Sequence, residues 1–319
     1  ISLNNLSGKW EKSNFVCNGI ISEYKNDPLL NLSIKGFATE ASLKEVFTEI
    51  KGSDIHFDNS MSFASNIKGT EDNMSVALVL NTTKSSVKYS TWFTKPLDYP
   101  LFMDGVLNIK RPSDRSLKRL TIDRLNIRFG SASVDVKGDV YKGKAAFSVK
   151  TNDMSMDDVD SIIPYFKREF KSAGTVSTQL SMVYDLKDGT RDIDGEVKIK
   201  DAQFETGVLP KMVSKADIFA KVSGSSVNAV INSFETGRTK LSGKIYMPDI
   251  ARHDLNFTIA AQYLDVDDLY PLQEKRKFIP TGSGSITVKN GRFLNLDIES
   301  FRADVLMGKE GITLKPMTF

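Results

Sequence analysis

Apolar and polar residues alternate with a period of two along most of the chain. In residues 134–137 valine alternates with aspartate and lysine, and similar alternation returns at 195–200 and 285–289. Such alternation is typical of β-strands with one apolar face and one polar, solvent-exposed face. The strands are short and are joined by closely spaced glycine-containing and serine-rich turns, which leaves no room for the crossover helices of a parallel α/β sheet. The pattern therefore predicts a mostly β protein built on an extended, twisted antiparallel sheet.

Three segments show features of short helices instead. Residues 41–50 place their apolar side chains at helical spacing. Residues 157–171 begin with acidic residues and end with basic ones, and so does the segment from Asp265 to Lys277. This order complements the helix dipole, and Asp265 is expected to be the N-cap of the third helix.

The unit of strand, short helix and strands occurs more than once. Residues 147–159 align without gaps on 257–269, and 195–204 then align on 284–293. A weaker third copy of the strand and helix lies at 30–47. Self-similarity of this kind indicates a chain built by adding the same supersecondary unit end to end. We therefore predict three segments: an N-terminal β segment with one helix at 1–144, a first repeat at 145–254, and a second, truncated copy at 255–319.

The predicted sheet has one continuous apolar face that three short helices cannot cover. Burial of apolar surface contributes roughly 25 cal/mol per Å², so this face requires a cover. Either a second sheet packs on it, as in a closed β-sandwich, or the sheet curls into a groove whose lining is completed by another molecule. Ten strand residues are expected to line that groove or to fill the closed core: Phe147, Val149, Val197, Ile199, Leu241, Ile245, Phe257, Ile259, Ile286 and Val288.

Composition narrows the functional classes. The hydrophobic fraction of 40% and the charged fraction of 26% are those of a globular protein. A net charge of +3 provides no large basic surface, so we expect no nucleic-acid partner. Cys17 is the only cysteine, which excludes an intrachain disulfide and a cysteine-based zinc site. The chain starts at Ile1 and ends on an alternating segment, so we expect it to be a piece of a longer protein.

The sequence contains no constellation that predicts catalysis. The only histidines, His56 and His253, lie far apart, and no Ser-His-Asp or metal-spaced set can be assembled around them. The acidic pairs at 157–158 and 267–268 could serve as metal ligands or acid–base groups, but their position at predicted helix starts favours capping. We therefore expect no enzyme activity, no metal and no cofactor.

The C-terminal part of the chain resembles a known family. A glycine-flanked strand and an Asn-Gly turn at 282–293 precede Phe301–Val305 and the Gly-x-apolar-x-Leu-x-Pro strand at 311–317. This order is similar to the C-terminal signature of the AsmA-like family of bacterial envelope proteins, and the resemblance extends over residues 145–319. It implies a taco-like, twisted β-sheet with an apolar interior, related to bridge-like lipid transfer proteins.

The resemblance also implies a location and a role. The chain would be a periplasmic body, tethered to the inner membrane by an anchor absent from this sequence. It would carry phospholipid or another acyl-chain lipid between the inner and outer membranes. The alternative hypothesis is a structural or assembly factor for the outer membrane, which binds segments of a partner protein at an exposed sheet edge.

Overall fold

The computed structural model describes residues 1–10, 12–23, 25, 27–46, 54–90, 93–111, 119–162, 172–205, 209–250, 252, 254–269, 281–293, 296–308 and 311–318. Strands make up 74% of the structure and helices 6%, which confirms the mostly β fold class. The strands form one large twisted sheet of 21 strands and a separate sheet of three. Within the described strands, the large sheet does not close into a barrel.

The first half of the chain contains twelve of the described strands and the first helix. Their bounds are β1 (Ser2–Trp10), β2 (Ser13–Ser22), β3 (Leu29–Ala38), α1 (Glu40–Val46), β4 (Ile55–Asp58), β5 (Met61–Gly69), β6 (Asn73–Asn81), β7 (Ser86–Tyr89), β8 (Phe93–Lys95), β9 (Leu101–Lys110), β10 (Arg119–Phe129), β11 (Ala132–Tyr141) and β12 (Lys144–Thr151).

The second half contains the other described elements. Their bounds are β13 (Met154–Ser155), α2 (Met156–Ile162), β14 (Ala173–Asp185), β15 (Arg191–Phe204), β16 (Val213–Ser223), β17 (Ser226–Thr236), β18 (Thr239–Met247), β19 (Asp254–Asp265), α3 (Val266–Leu269), β20 (Thr281–Val288), β21 (Gly291–Phe293), β22 (Leu296–Ile298), β23 (Phe301–Gly308) and β24 (Gly311–Thr318).

Two compact units divide the chain. Unit 1 comprises Ile1–Asn152, Ser161–Pro164 and Ser181–Arg191, and unit 2 comprises Asp153–Asp160, Tyr165–Leu180 and Asp192–Phe319. The division of the chain into segments 1–144, 145–254 and 255–319 stays a prediction.

Unit 1 is an antiparallel meander. Its strands pair in the order β1, β2, β3, β5, β6, β9, β10, β11 and β12. Short turns join most neighbours, which favours pairing between strands adjacent in sequence. The strands β4, β7 and β8 form the small sheet. Helix α1 lies beside the start of β2, where the Ser42 hydroxyl is 2.7 Å from the Ser13 hydroxyl.

Unit 2 has a mixed sheet, which corrects the prediction of a purely antiparallel one. Its strands pair in the order β15, β16, β17, β18, β19, β20, β23 and β24, and β19 pairs in parallel with both β20 and β21. β20 begins at Thr281 opposite Asp254, the first residue of β19, and fifteen residues separate the end of β19 from Thr281. A connection of this length permits a parallel neighbour, whereas a tight turn does not.

Each of the three predicted helices begins close to its expected position. Helices α2 and α3 start at Met156 and Val266, which are equivalent positions in the ungapped alignment of the repeat. Helix α1 follows β3 in the weaker third copy. The basic ends that the sequence predicted for the second and third helices lie outside the described residues.

Candidate functional site

The strand register of unit 2 places apolar side chains in three rows on one face, which we call the inner face of unit 2. Residues directly opposite each other on paired strands point to the same side of a sheet. Row 1 contains Val197, Ala220, Ala229, Ile245, Phe257, Gly284 and Val305. Row 2 contains Ile199, Ile218, Ile231, Gly243, Ile259, Ile286 and Ala303. Row 3 contains Ala202, Ala216, Phe234, Leu241, Ala261, Val288 and Phe301.

Eight of the ten residues predicted from the sequence lie in these rows. They are Val197, Ile245 and Phe257 in row 1, Ile199, Ile259 and Ile286 in row 2, and Leu241 and Val288 in row 3. The sequence prediction missed their partners on the intervening strands β16 and β17, such as Ile218 and Ile231. Alternation within those strands was visible, but the register that joins them to their neighbours was not.

Burial differs between the ends of the inner face. In row 3, Ala202, Ala216 and Val288 are buried, since Met156 of α2 and Val266 and Leu269 of α3 pack at this end. In row 1, by contrast, Val197, Ile245 and Phe257 are only half-buried. The short helices therefore cover one end of the inner face and leave row 1 in contact with water.

Unit 1 has an inner face of the same kind. Phe147 lies in a row with Gly138, Ile122, Leu107, Val76, Ile67 and Leu32, and Val149 lies in the next row with Val136, Leu125, Gly105, Leu78, Ser65 and Ile34. Phe147 and Val149 are half-buried, like most members of their rows. A further row, at the strand ends near α1, is buried and contains Ala38, Met61, Leu101, Phe129 and Ala132.

The opposite face of unit 2 is largely polar. One row across it contains Lys198, Phe219, Val230, Lys244, Thr258, Ser285 and Asp304. The Lys198 ammonium lies 5.7 Å from the centre of the Phe219 ring, so a cation–π contact partly covers that aromatic side chain. Apolar side chains are therefore distributed differently on the two faces: they form continuous rows on the inner face, whereas the row on the outer face contains one apolar pair, Phe219 and Val230, among polar residues.

The total exposed surface is larger than that expected of compact globular bodies. The chain exposes 19899 Å². A compact globular protein of 35.5 kDa exposes about 13,000 Å², and two separate bodies of half that mass would together expose about 16,000 Å². The chain thus exposes more surface than two closed globular bodies would, whatever their arrangement.

Two aspartates fasten α3 to the β17–β18 turn. Asp268 is fully buried and accepts hydrogen bonds from the backbone N–H groups of Arg238 and Thr239, at 2.6 and 2.9 Å. Its other carboxylate oxygen lies 2.6 Å from the Lys211 ammonium. Burial alone would raise the pKa of Asp268, but the hydrogen bonds from Lys211 and the two backbone groups outweigh it and hold that pKa below its ordinary value.

The same turn explains one glycine and one sequence prediction. Gly237 has a φ of +55°, and a Cβ there would lie 2.3 Å from an Asp268 carboxylate oxygen, so only glycine fits. Asp265 accepts a hydrogen bond from the Asp267 N–H at 3.2 Å, as expected of an N-cap, and also binds the Arg238 guanidinium at 2.7 Å. The sequence predicted that Asp268 stabilises its own helix through the helix dipole, whereas in the structure its carboxylate also binds the distant β17–β18 turn.

The described residues contain no group of three or more His, Cys, Asp or Glu side chains that could hold a metal ion. His56 lies 3.2 Å from the Glu40 carboxylate, and His253 lies outside the described residues. Cys17 is buried on the inner face of unit 1, between Leu6 and Ile34. In the part of the chain that the structure describes, no helix is long and apolar enough to cross a membrane.

The inner faces are therefore the feature from which a function can be inferred. Neither a family model, nor a curated protein, nor a solved structure matches the chain.

Proposed function

We propose that the chain binds the acyl chains of lipids on its inner faces and is a periplasmic part of an AsmA-like envelope protein. In this role it moves phospholipid between the inner and outer membranes without covalent chemistry. The observation that supports the proposal is the half-buried state of most large apolar side chains in rows 1 and 2 of unit 2, Val305 and Ile231 being the buried exceptions. The side chains of these rows remain partly exposed to water in the free protein, and a bound lipid tail would bury them.

The dimensions of the inner face suit an acyl chain. Row 1 crosses seven strands, and at a spacing of about 4.8 Å between strands it extends over roughly 29 Å. One leaflet of a bilayer has a hydrocarbon layer of about 15 Å, half of the ~30 Å core. A single row is therefore long enough to shield one lipid tail over its full length.

The chemistry of the rows favours movement over tight binding. Their members are aliphatic, aromatic or glycine residues, which make no directional contact with a tail. Each methylene group removed from water contributes at most about 0.8 kcal/mol, and a tail covered on one side gains only part of that. Neighbouring positions along a row therefore bind a tail with similar free energy, as transfer along the sheet requires.

Two adjacent residues of β18 provide a test. Ile245 belongs to row 1, whereas Tyr246 points to the outer face and is exposed. We expect Ile245→Asp to weaken the binding of a phospholipid with a fluorescent acyl chain at least tenfold, and Tyr246→Asp to leave it unchanged. Both variants should keep the β circular-dichroism spectrum.

Equal binding by wild type and the folded Ile245→Asp variant would contradict the proposed role of row 1. A protein that binds no lipid at all would favour the alternative hypothesis of a factor that binds protein segments at a sheet edge.

A further inference from the structure

One tip of unit 1 combines exposed apolar side chains with lysines. It consists of the β11–β12 turn, residues 141–144, and of residues 183–188 at the end of β14 and in the following loop; we call it the unit 1 tip. The Leu186 N–H donates to the Gly143 carbonyl at 2.7 Å, so the two segments are joined. A Cβ at Gly143 would lie 3.2 Å from Cε of Lys187, which places that lysine over the turn.

Three large side chains of the tip are left open to water. Leu186 is 54% exposed, Val183 46% and Tyr184 39%. Val183 and Tyr184 are consecutive in β14 and point to opposite faces of the sheet, so Tyr184 and Leu186 form the apolar part of the tip. Exposed apolar groups gathered at one place on a surface mark an interaction site more often than scattered ones do. Tyrosine in particular suits a boundary between water and an apolar phase, because its ring is apolar and its hydroxyl is polar.

The charges around these side chains are mainly positive. Lys142, Lys144 and Lys187 lie in the two segments, together with Asp185 and Asp188, and Arg191 and Asp192 follow the second segment. Both aspartates bind their own loop: Asp185 accepts from the Lys187 N–H at 2.9 Å, and Asp188 accepts from the N–H and hydroxyl of Thr190 at 2.8 and 2.7 Å. Within the tip, the Lys142 ammonium lies 5.1 Å from the centre of the Tyr141 ring, and the pKa of Asp188 is lowered by the hydrogen bonds from Thr190 and by the charge of Lys144. All three lysines are nevertheless exposed and can reach an outside partner.

We propose that the unit 1 tip docks on an anionic membrane surface. Leu186 and Tyr184 would enter the headgroup region, and the lysines would contact lipid phosphates. Charge complementarity selects this partner, because apolar side chains flanked by lysines match the apolar interior and negative surface of such a membrane. The docking goes beyond lipid binding on the inner faces and does not require it.

Vesicle sedimentation tests the proposal. The whole chain should bind vesicles that contain phosphatidylglycerol, with an affinity that falls as salt is raised, and should bind pure phosphatidylcholine vesicles far more weakly. Each lysine near an anionic surface contributes about a factor of five in affinity, so the triple variant Lys142→Gln, Lys144→Gln, Lys187→Gln should lose about 100-fold. Leu186→Asn should lose about tenfold.

Unit 2 offers a matched control. Ile250 is 39% exposed and its N–H donates to the carbonyl of Ser225 at 2.8 Å, much as Leu186 binds Gly143. Beside it, however, Asp249 and Arg252 form an ion pair at 3.4 Å instead of a lysine cluster. Ile250→Asn should therefore bind phosphatidylglycerol vesicles as wild type does.

Three results would overturn the proposal: no binding by the wild-type chain, equal binding to both kinds of vesicle, or equal losses in Leu186→Asn and Ile250→Asn. Circular dichroism of each variant shows that it is folded. Binding of the fluorescent phospholipid should be unchanged in the triple lysine variant, which separates docking from lipid binding on the inner faces.

Discussion

The same substitution at two valines of unit 2 separates an open face from a closed core. Val197 lies in row 1 on β15 and is half-buried. Val213 lies on the adjacent strand β16, has no exposed surface, and packs with Met156, Ala202 and Ala216 at the covered end. If the inner face is open along row 1, Val197→Asp and Val213→Asp should differ strongly in stability.

The expected magnitudes follow from burial. Burial of a valine side chain stabilises the fold by about 1.5–3 kcal/mol relative to an exposed one, so half-buried Val197 contributes about 1 kcal/mol to stability. The carboxylate of an aspartate at this position would remain hydrated. At position 213 the full contribution is lost, and the new carboxylate is buried without a partner, which costs several kcal/mol more. We therefore expect Val197→Asp to lower the free energy of unfolding by about 1 kcal/mol, and Val213→Asp to lower it by at least about 5 kcal/mol.

Urea unfolding followed by circular dichroism measures this difference. With a slope of about 2 kcal/mol per molar urea, Val197→Asp should lower the midpoint by about 0.5 M. Val213→Asp should lower it by more than about 2 M or prevent folding. Equal losses in the two variants would refute the reasoning, because Val197 would then lie in a closed core.

Two other predictions concern the buried carboxylate of Asp268 and the close backbone approach at Gly195. The pKa of Asp268 is below its ordinary value, so its contribution to stability is present above about pH 4 and is lost as the pH falls through the folded-state pKa. Asp268→Asn should be less stable than wild type by about 2 kcal/mol at neutral pH, and urea midpoints should show that the gap narrows below about pH 4. Gly195 has a φ of +148°, and a Cβ there would lie 2.1 Å from the Gln179 carbonyl oxygen. Thermal unfolding should show a loss of at least about 2 kcal/mol for Gly195→Ala and almost none for Gly308→Ala, where nothing lies within 4 Å; equal effects would contradict this account.

Much of the fold could be predicted from alternation and from the repeat. Alternation identifies the apolar side of each strand, and the eight predicted residues of unit 2 do lie on one face. The parallel direction of β20 could not be predicted, because strand direction depends on the path of the connection after Asp265. Nor could the different burial of Val197 and Val213, since both are valines in apolar strands, and the packing of Met156 of α2 in the cluster around Val213 is a tertiary contact.

Long-range polar contacts also could not be predicted from the sequence. The sequence shows Asp268 as an acidic residue at a helix start. Its partners Arg238 and Thr239, however, lie 30 and 29 residues earlier in the chain, and no local pattern connects them to it. Lys95 is a similar case: its fully buried ammonium donates to the Pro96 carbonyl at 2.8 Å and to two carbonyls before β7. A lysine in a short polar strand normally predicts a solvated side chain.

Native mass spectrometry of the purified chain, followed by extraction and identification of bound lipid, tests the central claim most directly. The proposal predicts phospholipid at a defined stoichiometry, and its loss in a folded variant that combines Val197→Asp with Ile286→Asp. A stably folded wild-type chain that carries no lipid, or a folded double variant that retains it, would contradict the account.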